Sequence, residues 1–506
     1  MQAARSAMDS LEFDYVVVGG GGAGAVLART LAERTSASVA LLEIGPSDAD
    51  KDEVLDFRRY REVPAGPLGT RIAIVPPTRG NGRFSYPVSR VLGGSTSQNT
   101  CIWFRPPASD FDDWAAAGAL GWGPDAILPH FEALEASVKV ETQAADLDSH
   151  RVLFDAARQS GFERIDFSTP FDIGMGDYRM SKSGAYRQST SVVFLRPPSS
   201  LPANLAVLTE TAVERLLFGP GNEVTGVETS RGPIRARREV VLSAGALETP
   251  KLLMLSGIGP ADHLREFGLE VRRDLPGVGR HLLDHPAACV NIAATRPLAR
   301  DEVWNYAGVL FERVEPDAPW PDIEIQLGPE LFEQQTAPAG YPSAPFGFAA
   351  YFTVNRARSE GSVCLSSPGP HDHPAVDPAY FSDPDGYDMR IMVGGVKAAR
   401  RLFAAPAMQG WAGAELAPGA DCRDDEEIAD FVRETVTTGY HPAGTCRMGD
   451  PADPRAVVDP ELRVIGVPGL RVADASIMPT MVSVNIAPTC MMIGRRAAEL
   501  IARSPA

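Results

Sequence analysis

The chain is poor in the features that would place it in a membrane, in a disulfide scaffold or on nucleic acid. Its six cysteines (101, 289, 364, 422, 446 and 490) are scattered through 506 residues without metal-ligand or paired spacing. That pattern excludes a disulfide framework or zinc module and leaves reduced thiols. The eight histidines show no zinc pattern either. His371 and His373, in SSPGPHDHPAVDP, read as a surface turn, and no metal is expected. No run of about 18 apolar residues occurs, so no membrane-spanning helix is expected. The opening MQAARSAMDSLEFDY lacks an apolar stretch long enough for a signal peptide, so the expected compartment is the cytoplasm. Basic residues are in deficit, 48 Lys and Arg against 65 Asp and Glu, a net charge of −17. That argues against nucleic acid or anionic lipid as a partner. Internal repeats and low-complexity blocks are absent, and nothing specifies an oligomeric state.

What is present is a large apolar fraction, 44%, enough for two or three domains. The 47 Gly and 43 Pro are spread along the chain and imply many turns. Two stretches are specific. Residues 14–45 read DYVVVGGGGAGAVLARTLAERTSASVALLEIG. Asp14–Val18 has the apolar, β-branched character of a central parallel strand. Gly19, Gly21 and Gly24 then satisfy G-x-G-x-x-G. The first glycine makes the tight turn, the second admits a pyrophosphate, and the third lets helix and strand pack closely. A helix over about Ala23–Arg34 would aim its N-terminus at the phosphates. A strand over Ser38–Leu42 ends in Glu43, placed to bind ribose hydroxyls. The acid disfavours a 2′-phosphate and hence NADP. The motif does not separate FAD from NAD, although a place so near the N-terminus favours FAD.

The second stretch contains GYHPAGTCRMG and VADASIMPTMVSVNIAPTCM, with His441 and, 44 residues later, Asn485. A histidine in a glycine-rich loop is by default a structural hydrogen-bonder, and an asparagine before Ile-Ala-Pro a turn or cap residue. Between the two stretches, RVLGGSTSQNTCIWF (90–104) can bring backbone N–H groups onto a phosphate or flavin ring. Residues 204–242 read as a β-meander. Residues 243–259 read as a strand end, a helix with Thr249 and Pro250 in its early turns, and a glycine stop. From 290 to 436 strand-like runs such as IEIQLG and FGFAAYFTV alternate with proline-rich loops. Helical patterns follow over Gly386–Phe403 and Asp424–Thr435. This region reads as a second, substrate-facing domain on an antiparallel sheet. The chain then returns to the first domain and ends in a helix over about Met491–Arg503.

The residues quoted so far, with GALETPKLLMLSGIG, PGVGRHLLDHP and LRVADASIMPT, resemble the glucose–methanol–choline (GMC) oxidoreductases over nearly the full length. The C-terminal VSVNIAPTCMMIGRRAAELI is most similar to the choline-oxidising branch. The resemblance implies an α/β fold: a Rossmann-like FAD-binding domain plus an α+β substrate domain on an antiparallel sheet. The expected division is 11–160, 203–289 and 437–506 for the FAD domain, 161–202 as a connecting segment and 290–436 for substrate.

Site residues carry over position by position. Gly19, Gly21, Gly22, Ala23, Gly24 and Glu43 would hold the ADP moiety. Val91, Gly94, Gln98, Asn99, Thr100, Cys101 and Ile102 would line the flavin. Val213 matches the adenine position, and Asp474 and Ala475 the pyrophosphate and ribityl chain. Ala244, Tyr440, Ile486 and Ala487 complete the cofactor set. His441 matches the catalytic histidine, and Asn485 the second active-site position. Gln98 stands where some choline-oxidising relatives carry a histidine bonded to the flavin, so FAD is expected without a histidyl link. Asn305 or Tyr306 falls where choline-type relatives place a carboxylate, with Glu302 nearby. His281, where the family commonly has asparagine, reads as a structural variation.

The chemistry follows from these types. Alcohol oxidation removes a hydride from carbon, which the flavin accepts, and a proton from oxygen. Histidine has the ordinary pKa best suited to that proton. Asn485 cannot titrate but can donate and accept, fixing the hydroxyl. The helix N-terminus after Asn-Ile-Ala-Pro could offset negative charge on the reduced ring. The expected substrate is a small primary alcohol, with O₂ or another electron acceptor. The alternatives are a choline-type, amino-alcohol or sugar dehydrogenase, an FAD-containing hydroxynitrile lyase of the same fold, and a non-catalytic flavin-binding protein.

Overall fold

The computed structural model describes residues 11–76, 84–144, 146–168, 170–196, 198–300 and 304–504. Strand β1 (Glu12–Val18), helix α1 (Gly24–Arg34) and β2 (Val39–Leu42) come first. A short strand β3 (Gly174–Gly176) precedes β4 (Leu205–Leu208), β5 (Val213–Phe218), β6 (Val224–Thr229), β7 (Ile234–Leu242) and helix α2 (Glu248–Leu255). Then come β8 (Pro286–Ala294), β9 (Gly308–Glu312), β10 (Ile323–Gly328) and β11 (Gly347–Val354). Helix α3 (Tyr387–Phe403), β12 (Ala412–Ala417) and helix α4 (Asp425–Thr435) follow. Last are β13 (Thr437–Thr438), β14 (Leu470–Val472) and helix α5 (Ala487–Arg503). Shorter elements join them.

The first sheet has the order β4-β2-β1-β7-β6-β5, with β14 beside the second half of β7. β4, β2, β1, β7 and β14 run parallel, while β5 and β6 form an antiparallel ribbon on β7. The meander expected over 204–242 is therefore only partly formed. Its first strand, β4, crosses to the opposite edge and pairs with β2. Asn204 explains this, because its side-chain amide donates to the carbonyls of Ala32, Thr35 and Ala37 at the end of α1. That anchor saturates the turn into β2 and delivers the next strand alongside it.

The glycine turn is a packing requirement. Gly19 has φ +102°, and a Cβ there would lie 2.4 Å from the Ser243 carbonyl oxygen. A Cβ on Gly24 would lie 1.9 Å from Gly19 O, so α1 touches β1 backbone to backbone. Helix α5 begins at Ala487, earlier than the expected Met491, with Pro488 in its first turn, where a missing N–H costs nothing. At Gly494 it meets α1, where a Cβ would stand 2.2 Å from Ala23 O.

The second sheet has the order β12-β8-β11-β10-β9-β3, with β13 beside β8, and every pairing is antiparallel. Its edge strand β3 comes from the 161–202 segment. The two-residue period divides its faces. Ile323, Ile325, Leu327, Phe348, Ala350 and Phe352 pack against Ile391 and Val396 of α3 and Ile428 and Val432 of α4. Each fully buried Ile, Leu, Val or Phe among them contributes about 1.5–3 kcal/mol. The alternating Glu324, Gln326, Tyr351 and Thr353 face the other way, into a cavity shared with the first sheet. Asp424 starts α4 in a capping box with Glu427. Among the described residues no helix is long and apolar enough to cross a membrane.

Candidate active site

A cavity of about 770 Å³ runs from the glycine turn to His441, within the size range of cofactor and ligand sites. One end is built for a dinucleotide. Gly21 faces open space, since a Cβ there would meet only Gly94 Cα at 3.8 Å, and Gly245 (φ +88°) has nothing within 4 Å of its Cβ position. The N-terminus of α1 opens onto the same end, where unsatisfied N–H groups suit a pyrophosphate. Glu43 is buried, with Oε2 accepting from Gly20 N and Oε1 from Gly45 N, both at 2.9 Å. Burial pushes its carboxyl up to about 7 against those hydrogen bonds. Each oxygen keeps a second lone pair for a ribose hydroxyl. Asp474 takes Gly245 N at 2.9 Å and Thr249 Oγ1 at 2.6 Å on Oδ2, and Ser476 N at 2.8 Å on Oδ1. Both acids thus shape the loops as well as the cavity wall.

At the other end, the His441 ring lies between two partners. Its Nε2 is 3.4 Å from Asn485 Nδ2, and its Nδ1 is 2.8 Å from Nδ1 of His285. Asn485 Oδ1 is buried with no hydrogen-bond partner among the described residues. Tyr440, just before His441, holds φ +68°, strain that the surrounding contacts must maintain. Beneath the two histidines, Asp284 accepts five hydrogen bonds. Oδ1 takes the backbone N–H groups of His285 (2.8 Å) and His441 (2.9 Å). Oδ2 takes Tyr86 OH (2.7 Å), Tyr380 OH (2.5 Å) and Thr438 Oγ1 (2.6 Å). Burial, and secondarily the neighbouring His285, holds His441 well below the ordinary histidine range. Its ring is therefore neutral at neutral pH and able to accept a proton.

A dinucleotide cradle joined to an imidazole–amide pair is matched by known proteins. Residues 13–287 and 357–494 match the family models for GMC oxidoreductases. The chain belongs to the GMC oxidoreductase family. It is 41% identical to choline oxidase of Arthrobacter globiformis, over 97% of this chain and 94% of that protein. It is 35% identical to the mitochondrial choline dehydrogenase of Homo sapiens, over 98% and 90%. The crystal structure of pyridoxine 4-oxidase from Mesorbium loti superposes with a TM-score of 0.90 at 29% identity, covering 97% of this chain and all of that one. GMC oxidoreductases bind FAD and act on CH–OH donors.

In this GMC oxidoreductase the cavity wall brings together most of the expected positions. Gly19, Gly21, Gly22, Ala23, Glu43, Gly94, Gln98, Asn99, Thr100 and Ile102 line it. So do Val213, Ala244, Tyr440, His441, Asp474, Ala475, Asn485, Ile486 and Ala487. Three do not. Gly24 acts behind the wall, at the α1–β1 contact. Val91 packs with Val54, Val63 and Leu68. Cys101, at φ +59°, turns its thiol to Arg187 Nη1 at 3.0 Å and into the cluster of Phe57, Phe104 and Tyr178. Glu302 lies outside the described residues. His281 bonds Pro479 O at 2.9 Å and pairs with Glu360 at 3.0 Å, away from the cavity.

Several residues that build the candidate site were not singled out by the sequence. Asp284 and His285 sit inside PGVGRHLLDHP, yet their contact with His441 spans 156 positions. Arg187 is buried and ties the carbonyls of Thr96 (3.3 Å) and Asn99 (2.5 Å), fixing the loop at 94–101. Glu324 is buried in the cavity wall, with its Oε1 accepting from Gln326 Nε2 at 2.8 Å. No lysine or arginine pairs with it among the described residues, and burial pushes its carboxyl up to about 7. Tyr60, Trp304, Tyr306, Phe332, Tyr351 and Tyr440 line the same cavity. Ring centroids are 4.6 Å apart for Trp304–Tyr306, 5.7 Å for Tyr306–Phe332 and 4.7 Å for Phe332–Tyr351. The alternation of apolar and polar residues in IEIQLG was the available signal for Glu324 and Gln326.

Proposed function

We propose that the chain oxidises a small primary alcohol to the aldehyde, with His441 as general base and Asn485 orienting the hydroxyl. The observation that carries the reading is a neutral imidazole and an amide, 3.4 Å apart, at one end of the cavity whose other end is the glycine cradle. When bound, FAD supplies the oxidant that takes the hydride and its electron pair from the alcohol carbon. His441 takes the hydroxyl proton at Nε2, the nitrogen on the Asn485 side. Asn485 offers an N–H and an unpartnered carbonyl oxygen to the same hydroxyl. Gln98, with its amide anchored on Pro87 O at 3.1 Å, has no nucleophilic ring to bond a flavin, so FAD attachment is non-covalent.

A cationic amino alcohol is the substrate class that Glu324 favours. An unpaired buried carboxylate beside aromatic faces suits an ammonium group, and the named choline-oxidising relatives point the same way. A panel of neutral and quaternary-ammonium alcohols, added without oxygen, tests both levels. Bleaching of the oxidised-flavin band is expected, strongest with the cationic alcohols. A cyanohydrin joins the panel, and its cleavage to aldehyde and cyanide without bleaching, with no alcohol reducing the flavin, would make the protein a lyase. His441→Ala should slow flavin reduction about 10²–10⁴-fold with FAD still bound, and near-normal reduction would overturn the base assignment.

A further inference from the structure

The base reading leaves one question open: which nitrogen of His441 carries the ring proton. A neutral imidazole has one N–H and one lone pair. Only the form with Nε2 bare can take a proton on the Asn485 side. Nothing within His441 selects that form, because the two tautomers of a free imidazole are of similar energy.

The selection lies one residue deeper. His285 Nε2 is 3.0 Å from Asn355 O and 2.9 Å from Val482 O. Carbonyl oxygens only accept, so this nitrogen must carry hydrogen. His285 is buried, and burial pulls its ring down to about 4, so at neutral pH it holds that one proton and no other. Its Nδ1 is then a lone pair. The atom facing it at 2.8 Å is His441 Nδ1, and two lone pairs at that distance would repel. His441 must therefore carry its proton on Nδ1, leaving Nε2 bare. Asn485 Nδ2–H faces that bare nitrogen, which is consistent at the far end of the chain of bonds.

We propose that His285 is a positioning residue that sets the tautomer of His441: two backbone carbonyls pin its Nε2–H, its Nδ1 accepts from His441 Nδ1–H, and His441 Nε2 is thereby presented as the base. This rests on the function proposed above. In the step itself, the substrate O–H bond breaks and a bond to hydrogen forms at His441 Nε2. The imidazolium charge is then shared through Nδ1–H···Nδ1 with His285, which keeps its own proton on the carbonyls. The other titratable groups packed around the pair are Asp284, which holds both backbone N–H groups, and Tyr86, Tyr380, Tyr351 and Tyr440. Burial raises the phenols of Tyr86, Tyr380 and Tyr351 above their ordinary range, and the half-exposed Tyr440 is shifted the same way, so none supplies a competing charge.

Two substitutions separate a tautomer role from a merely structural one. In His285→Asn the amide oxygen can stand near the place of Nδ1 and still accept from His441 Nδ1–H, while the two carbonyls lose their donor. In His285→Gln the amide N–H reaches the carbonyls, but nothing replaces the Nδ1 acceptor. The holoenzymes are compared by anaerobic flavin reduction, with flavin content and melting temperature as controls for folding. Expected is reduction within about tenfold of wild type for H285N and about 10²-fold slower for H285Q. A structural role predicts the reverse order, and the reverse order, equal slowing, or no slowing of H285Q would overturn the proposal. Should either variant lose its flavin, the wild-type holoenzyme decides. Two-bond ¹H–¹⁵N spectra of protein labelled at its eight histidines, assigned against H441A, should show His441 protonated on Nδ1 and His285 on Nε2. A His441 ring protonated on Nε2 would overturn it. Near-normal flavin reduction in H441A would instead sink the base reading and leave the tautomer result standing.

Discussion

Asp284 is where removing one side chain should do the most damage for the least change in volume. Its carboxylate accepts from five donors, and all five belong to residues that shape the reacting end of the cavity. In Asp284→Ala the backbone N–H groups of His285 and His441 cannot rotate away, and each orphaned buried donor costs about 1–3 kcal/mol. The three hydroxyls recover in part, since Tyr86 OH and Tyr380 OH already lie 3.5 Å apart and can pair. With about 1 kcal/mol for each hydroxyl bond lost, the total is roughly 4–8 kcal/mol. That is comparable to the whole stability margin of a folded domain, about 5–15 kcal/mol. Asp284→Asn separates charge from geometry. Its Oδ1 can keep both backbone N–H groups while Nδ2 donates to hydroxyls that rotate to accept. The expected loss is about 1–3 kcal/mol, with the fold and the flavin retained. Thermal unfolding and flavin content of the purified variants measure both. D284A within 1 kcal/mol of wild type, or D284N as damaging as D284A, would refute this account.

The remaining expectations are more local. Gly24→Ala should lower flavin content and melting temperature, because its Cβ would stand 1.9 Å from Gly19 O and must push α1 off the sheet at a cost of about 1–3 kcal/mol; full flavin content at the wild-type melting temperature would contradict it. Glu324 has its carboxyl raised to about 7 by burial, so it is neutral below that pH and charged above it. For a cationic alcohol, kcat/KM should therefore fall as pH drops through about 7, and Glu324→Gln should remove that acid limb and raise KM about 10- to 100-fold, or roughly 1.4–2.8 kcal/mol. Unchanged profiles in E324Q would remove Glu324 from substrate binding. Acid denaturation should release the yellow colour into the supernatant, and colour remaining with the pellet would refute non-covalent FAD.

The first 35 residues of the nucleotide half were legible because their meaning is local. A strand, a turn and a helix set the pyrophosphate cradle within one short segment, and the same glycines that admit a ligand are those whose Cβ atoms would collide with backbone. The helices α3 and α4 were equally plain from their helical patterns. Strand partners were less plain. Leu205–Leu208 alternates no differently from a hairpin strand, and only the amide of Asn204, reaching back across more than 160 positions, sends it to β2. Val91 and Cys101 lie in a cavity-lining motif, yet backbone direction at those two positions turns their side chains away.

By itself, then, the amino-acid order determined the family and the dinucleotide cradle, and it singled out His441 and Asn485 as candidates. Those features depend on residue type at short or familiar spacing. Only the folded chain decided that His285 stands against His441, that Asp284 holds both, and that an unpaired Glu324 faces the cavity. The reason is physical: hydrogen bonds and desolvation act over a few ångströms, and contacts between residues 284 and 441 exist only once two sheets and the segments between them have packed.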